Sequence, residues 1–185
     1  MRPFRVVAPQ GVLVPWAAAD GLAVLCGLEP DDERQGLVEG FERAAVAYFD
    51  GYSGRLKRCI LRQKWALPLI GNPEAVNLPF PDCREFEIER REDDLSWTPI
   101  EDVTIKVERD RVWLTDLPQD SSGLHLTCWA GWETPAEVDQ NLVQAVRLLV
   151  AHWFDNRSAV SAGPTPHEVP LGVDAMASPL IHNVV

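Results

Sequence analysis

Residues 135–157 read PAEVDQNLVQAVRLLVAHWFDNR, and the rest of the chain is parsed around them. Val138, Leu142, Ala145, Val146, Leu149, Val150 and Trp153 recur at steps of three and four, the repeat of one helix face. Gln140, Asn141, Gln144, Arg147 and His152 fall on other faces. Pro135 suits the first position of a helix, and Glu137 and Asp139 follow where negative charge complements the unpaired N–H groups of a first turn. The spacing predicts a long helix over Ala136–Arg157.

Upstream, a second helical pattern precedes a change of period. Asp31, Asp32 and Glu33 read as the acidic first turn of a helix over Asp32–Tyr52. Its stripe is Leu37, Val38, Phe41, Ala45, Tyr48, Phe49 and Tyr52, and Gly51 and Gly54 mark its end. Pro15 and Gly27 bracket a shorter helix over Trp16–Leu25. From Arg58 the period becomes two: Cys59, Leu61, Gln63 and Trp65 alternate with Arg58, Ile60, Arg62 and Lys64. Gly71-Asn72-Pro73 and Leu78-Pro79-Phe80-Pro81 form an extended, turning connection. Alternation then resumes around Phe86 and Ile88, around Val103, Ile105 and Val107, and around Leu124, Leu126 and Cys128, with turns at Asp110–Arg111 and Gln119–Gly123.

The fold class that follows is α+β: a core of three to four helices with an antiparallel β-sheet inserted between the second helix and the last long one. One domain spans 1–185, with N-terminal helices at 1–57, the β-rich insertion at 58–132, the long helix at 133–158 and a linker plus tail at 159–185. Residues 161–170 are rich in Gly, Ser, Thr and Pro. The apolar residues after them predict either a last helix folded onto the core or a hook for another subunit.

The 185 residues are 46% apolar and 24% charged, the composition of a globular domain. Twenty-eight acids against 17 bases give a net charge of -11. Residues 82–120 hold 13 of the acids and 6 of the bases, so the charge concentrates in the β insertion. Such a surface repels a phosphate backbone and argues against a protein that grips nucleic acid. Arg2 and Arg5 precede an apolar stretch that mimics an export signal, but Pro9, Gln10, Gly11 and Pro15 break it. No run reaches the roughly 18–20 apolar residues of a membrane span. Cys26, Cys59, Cys83 and Cys128 contain no C-x-x-C pair and read as buried free thiols.

Chemistry is sparse. Nucleophile-elbow, P-loop, HExxH and dinucleotide-binding motifs are absent from the sequence. Gly51-Tyr52-Ser53-Gly54 follows a helix, so it reads as a C-cap and not a nucleophile turn. His125 and Cys128 lie three apart, which puts them on opposite faces of a strand and not around one metal ion. Glu85, Glu87 and Glu89 alternate onto one exposed face, with Glu92, Asp93 and Asp94 beyond; they read as a solvated strand face without the glycine-containing loop that calcium needs. Asp155-Asn156-Arg157 reads as a helix end with Arg157 near the carbonyls. His152 sits on the helix's polar side, and His167 and His182 lie in the tail. Trp97, Trp113, Trp129, Trp132 and Trp153 read mainly as core, with one or two at an interface. No catalytic, cofactor-binding or metal-binding residue is assigned.

Five strings in order carry a resemblance: Tyr48–Arg55 (YFDGYSGR), then a strand to Trp65 and Leu78–Pro81 (LPFP), Ala130-Gly131-Trp132, Ala145–Arg157 (AVRLLVAHWFDNR) and Val169–Val173 (VPLGV). Over nearly the whole chain the sequence resembles the head–tail connector, or adaptor, family of long-tailed double-stranded DNA phages and gene transfer agents. The resemblance implies a non-enzymatic virion protein that forms a homo-oligomeric ring, typically of twelve. The ring would lie between the portal protein and the next tail-side connector (stopper), assembled in the bacterial host cytoplasm, with DNA passing through unheld and no membrane or cofactor involved. It implies a portal-binding tail of Leu171, Val173, Met176, Leu180, Ile181 and Val184, and a subunit interface at Trp132, His152, Asp155 and Arg157. The chain departs from the family pattern at its end, Pro179–Val185 (PLIHNVV), where an apolar pair and a basic residue are expected.

Two other readings stay open on the residues alone. A small cytosolic enzyme or ligand-binding protein would place a carboxylate such as Glu101 or Asp116 in an apolar pocket with a raised pKa. A secreted protein would pair its four cysteines.

Overall fold

The computed structural model describes residues 2–118, 123–156 and 171–182. The long helix begins later than its sequence predicts. Pro135–Glu137 is a single 3-10 turn, and Val138 is extended (ψ 137°), which interrupts the helical path. Asp139 then caps the helix proper: its carboxylate accepts from the Asn141 backbone N–H at 2.8 Å. Among the described residues the four α-helices, in chain order, are α1 (Leu22–Leu25), α2 (Gln35–Phe49), α3 (Gln140–Asp155) and α4 (Leu171–Ala177).

The acids expected in the first turn of α2 lie ahead of it. Asp32 is taken by Arg34, whose backbone N–H and guanidinium both donate to it, and this pairing holds the Asp32 carboxyl down at about 2. The first helix is also shorter than expected. Residues 15–21 are turns, and Leu22 and Ala23 donate back to the Pro15 and Trp16 carbonyls. α2 ends at Phe49 because Asp50 turns extended and Gly51 takes φ +77°, a left-handed conformation suited to glycine.

One apolar cluster joins the helices. Val38, Ala45 and Phe49 of α2 meet Leu142, Ala145, Val146, Leu149 and Val150 of α3, and α4 returns onto the same core through Val173 and Ala177. Residues 157–170, which include the expected linker at 161–170, lie outside the described residues.

The expected single sheet is two. A five-stranded antiparallel sheet has the order β1 (Phe4–Val7), β2 (Gln63–Pro68), β8 (Leu124–Ala130), β4 (Arg84–Arg91) and β5 (Trp97–Pro99). A three-stranded sheet has the order β3 (Ala75–Asn77), β7 (Arg111–Thr115) and β6 (Thr104–Glu108). The larger sheet recruits an N-terminal strand that lies outside the expected insertion, and β2 begins at Gln63, not Arg58. The smaller sheet covers one face of the larger, burying Leu67, Ile88, Leu124 and Leu126 against Val112 and Leu114.

The other face of β8, expected in water, is also covered. Phe4 of β1 and Trp97 of β5 come from opposite edges of the sheet, yet their ring centroids are 6.0 Å apart. Both rings stand edge-on to His125, at 5.5 and 4.9 Å. The sheet therefore curls until its edges nearly meet over β8, leaving His125 and Thr127 buried. Burial lowers the His125 pKa and favours the neutral ring. The expected row of exposed glutamates holds for Glu85 and Glu87, which are exposed, and fails at Glu89. A bulge between Arg84 and Glu87 takes Glu85 (φ +53°) out of alternation, and Glu89, 7% exposed, turns inward to pair with Lys64 at 3.0 Å.

Candidate functional site

The C-terminal segment is the first place to look for a docking function. α4 lies along α3, and the segment's end is pinned by a second contact, His182 N–H to the Leu56 carbonyl at 2.8 Å. Val173 is fully buried (0% exposed) in the chain's own core and so holds the segment in place. Met176, Leu180 and Ile181 are half-buried, each resting on the core with part of its surface outward. Leu171 begins α4, and Val184 lies outside the described residues. Of the two alternatives open for this tail, a folded-back helix and a hook, the described residues form the helix. Ile181 and His182 also border a cavity of about 610 Å3, lined as well by Arg55, Lys57, Leu67, Leu78 and Pro79.

The residues expected at a subunit interface separate into two places. Trp132 follows β8; its backbone N–H donates to the Ile60 carbonyl at 2.9 Å, and its ring lies 5.1 Å from the Arg58 guanidinium. His152 and Asp155 end α3, with His152 half-buried and Asp155 exposed. Asn156 donates to the His152 carbonyl at 2.8 Å and its side-chain amide is 3.3 Å from His152 Nδ1. Arg157 lies outside the described residues.

Beside Trp132 a charged clasp closes the lower end of the larger sheet. Asp82 accepts from the Gly131 N–H at 3.1 Å, and Arg84 donates to the Gly131 carbonyl at 2.8 Å. Glu133 accepts from both Arg62 and Arg84, whose guanidinium groups hold its carboxyl below the usual range. Arg62 also stacks on the Trp129 ring at 4.4 Å and pairs with Glu85. Gly131 itself has φ +99°, and a Cβ there would lie 2.4 Å from the Leu61 carbonyl, so only glycine fits this crossing.

The carboxylates singled out for an alternative enzymatic role are on the surface. Glu101 is exposed, and Asp116 is exposed with the Thr104 and Thr115 hydroxyls donating to it. Among the described residues, two carboxylates besides Glu89 are buried or nearly so. Glu42 of α2 accepts from the Leu13 and Val14 N–H groups, and Asp50 accepts from the Ile60 N–H and the Gln63 amide. Burial pushes both carboxyls up. Both border a cavity of about 330 Å3 between α2 and the N-terminal arm. Their hydrogen bonds go to the chain's own backbone, to Gln63 and to the Arg5 guanidinium, which is a fixing role and not one of receiving a substrate proton. Glu42 was recognisable in principle: it occupies the 38, 42, 45, 49 repeat of the buried face.

Among the described residues no group of three His, Cys, Asp or Glu could hold a metal ion, and no helix is long and apolar enough to cross a membrane. All four cysteines are free thiols.

No protein-family model matches the sequence, and no curated protein matches it significantly. The fold, a helical layer beside paired antiparallel sheets, recurs in chains of gene transfer agent particles. In particular, a chain from the neck of an empty particle, solved with C6 symmetry, superposes with a TM-score of 0.67 at 19% identity. A chain from the virion of the native particle gives 0.66 at 20%, and one from the native neck, solved with C12 symmetry, gives 0.63 at 21%. Each match covers 100% of this chain and 97% of the other. At one-fifth identity the likeness is one of fold.

Proposed function

We propose that this chain is a structural, non-enzymatic subunit of the neck of a phage-like particle: a head–tail adaptor that joins copies of itself in a ring between portal and tail. The observation that carries this reading is the end-to-end superposition on gene transfer agent neck chains, with nothing of substance left over on either side. The six- and twelve-fold symmetry of those structures supports a ring, with twelve copies as the number to test. The acidic β insertion supports a channel wall or outer surface that leaves DNA unheld, because each Lys or Arg contact to phosphate would have to be broken as the duplex moves.

The portal-facing surface is assigned to the C-terminal segment, with Met176, Leu180 and Ile181 presenting apolar surface, Leu171 and Val184 extending the set, and Val173 anchoring it from inside. Trp132, His152, Asp155 and Arg157 are assigned to contacts between neighbouring copies. The tail-side partner is the next connector of the neck.

The test is co-purification. A tagged copy produced with the rest of its particle should band with filled heads in a density gradient, at a fixed ratio to portal subunits. Recovery only in the soluble fractions, with heads and tails joined normally, would refute the proposal.

A further inference from the structure

Two thiols meet inside the clasp at the lower end of the larger sheet. Cys83 Sγ and Cys128 Sγ are 3.2 Å apart, although their residues are 45 apart in sequence. Cys128 is buried on β8 and Cys83 is half-buried just before β4. The chain on both sides of Cys83 is tied to the strand that carries Cys128: Asp82 and Arg84 both bond to Gly131, three residues beyond Cys128. A disulfide needs the sulfurs to close by roughly 1 Å, to about 2.05 Å. Side-chain rotation supplies that closure, while the Gly131 bonds keep the chain segments where they are.

We propose that Cys83 and Cys128 are a latent disulfide, reduced under thiol-preserving conditions and closed by a two-electron oxidant. With an azodicarboxamide as oxidant, the Cys83 thiolate, the more accessible of the two, adds to one nitrogen of the N=N bond. Cys128 sulfur then attacks Cys83 sulfur and expels the hydrazine. The S–S bond forms, and the two thiols lose two electrons and two protons, both of which end on the hydrazine. The Cys128 thiol and burial push the Cys83 thiol up, so closure is faster in mild alkali than at neutral pH. The bridge would enclose β4 to β7 in one covalent loop and fasten the entry of β4 to the central strand. It does not depend on the role proposed for the particle.

The sequence has four cysteines, and Cys59 packs in the same apolar cluster as Cys128, which makes the pairing a real choice. Dilute, folded protein is treated with the azodicarboxamide, quenched, denatured and titrated for thiols, and its peptides are mapped without reduction. The expected result is a fall from four thiols to two, one linked peptide pair containing Cys83 and Cys128, and a higher denaturation midpoint that a dithiol reductant reverses. Cys83→Ser should abolish the loss of thiols and Cys26→Ser should leave the linkage intact. Four surviving thiols, a Cys59–Cys128 peptide or only intermolecular dimers in the wild-type protein would overturn the proposal.

Discussion

The Glu42 carboxylate on α2 accepts a hydrogen bond from the Leu13 backbone N–H at 3.0 Å, and through it the arm between β1 and α1 is tied to the helical layer. The same oxygen takes the Val14 N–H at 3.4 Å. One buried side-chain oxygen thus satisfies two backbone donors that no strand or helix accommodates.

Removing that acceptor leaves both N–H groups without it. Glu42→Ala should cost about 1–3 kcal/mol in urea denaturation, whereas Glu42→Gln, which keeps a carbonyl oxygen, should cost much less. Equal losses in the two variants would show that volume, and not the acceptor, is what matters.

The Glu42 carboxyl is raised by burial, so the folded chain holds a proton that the unfolded chain has already released. Its contribution is fully present below the ordinary carboxylate range and is lost as pH rises through the raised folded-state value. Wild-type stability minus that of Glu42→Gln should therefore decline as pH rises above the ordinary carboxylate range. A difference that is flat, or that grows with pH, would mean that the folded carboxyl is not raised. Asp50 is raised by the same cause and should respond with the same sign in Asp50→Asn.

Lys64 and Glu89 form an ion pair on the curled face of the larger sheet, with only 13% and 9% of their side chains exposed. Lys64→Met would strand a buried carboxylate, an imbalance worth roughly 3–5 kcal/mol. The double change Lys64→Met, Glu89→Leu should recover most of that loss. Denaturation midpoints of the two single variants and the double variant give the coupling, and additive losses would contradict it.

The proposed portal contact of the C-terminal segment should be separable from its folding. Val173→Asp places a charge in the helical core and should abolish soluble, cooperative folding. Ile181→Glu, on a half-buried position, should leave the circular dichroism spectrum and melting curve near wild type while removing portal binding in a pull-down. Undiminished binding by a folded Ile181→Glu protein would remove this segment from the portal contact.

Gly131 has no tolerated replacement. Its φ of +99° and the 2.4 Å approach of a Cβ to the Leu61 carbonyl predict that Gly131→Ala loses more than the 1–3 kcal/mol typical of backbone strain alone. Thermal melting of the purified variant checks this.

Helical faces were legible in the sequence because burial there depends on one periodicity within one segment. The stripe Leu142, Ala145, Val146, Leu149 and Val150 is buried as its spacing requires. Strand faces were legible only where one side of the sheet is wet. β8 alternates as if His125 and Thr127 were exposed, but Phe4 and Trp97, 93 residues apart in sequence, close over them, and no local pattern announces such a contact. The strand β1 was missed for a related reason: four residues, Phe-Arg-Val-Val, show no periodicity until β2 supplies a partner. Helix starts lie beyond their sequence signals where an acid that suits a first turn instead forms the turn or cap before the helix, as Asp32 and Asp139 both do. In the candidate site, the apolar tail was readable from composition, but the inward turn of Val173 was not, because its partners lie on α3.

The bond from His182 N–H to the Leu56 carbonyl gives the C-terminal segment a second anchorage, away from α3. Mechanically, the segment is a strap fastened at both ends and not a flap hinged at one. A pull along it is met as shear, with the α3–α4 packing and the pin at Leu56 loaded together, whereas a flap would peel one contact at a time. If this segment carries the proposed portal contact, a pull on the contact reaches the helical layer through both fastenings at once.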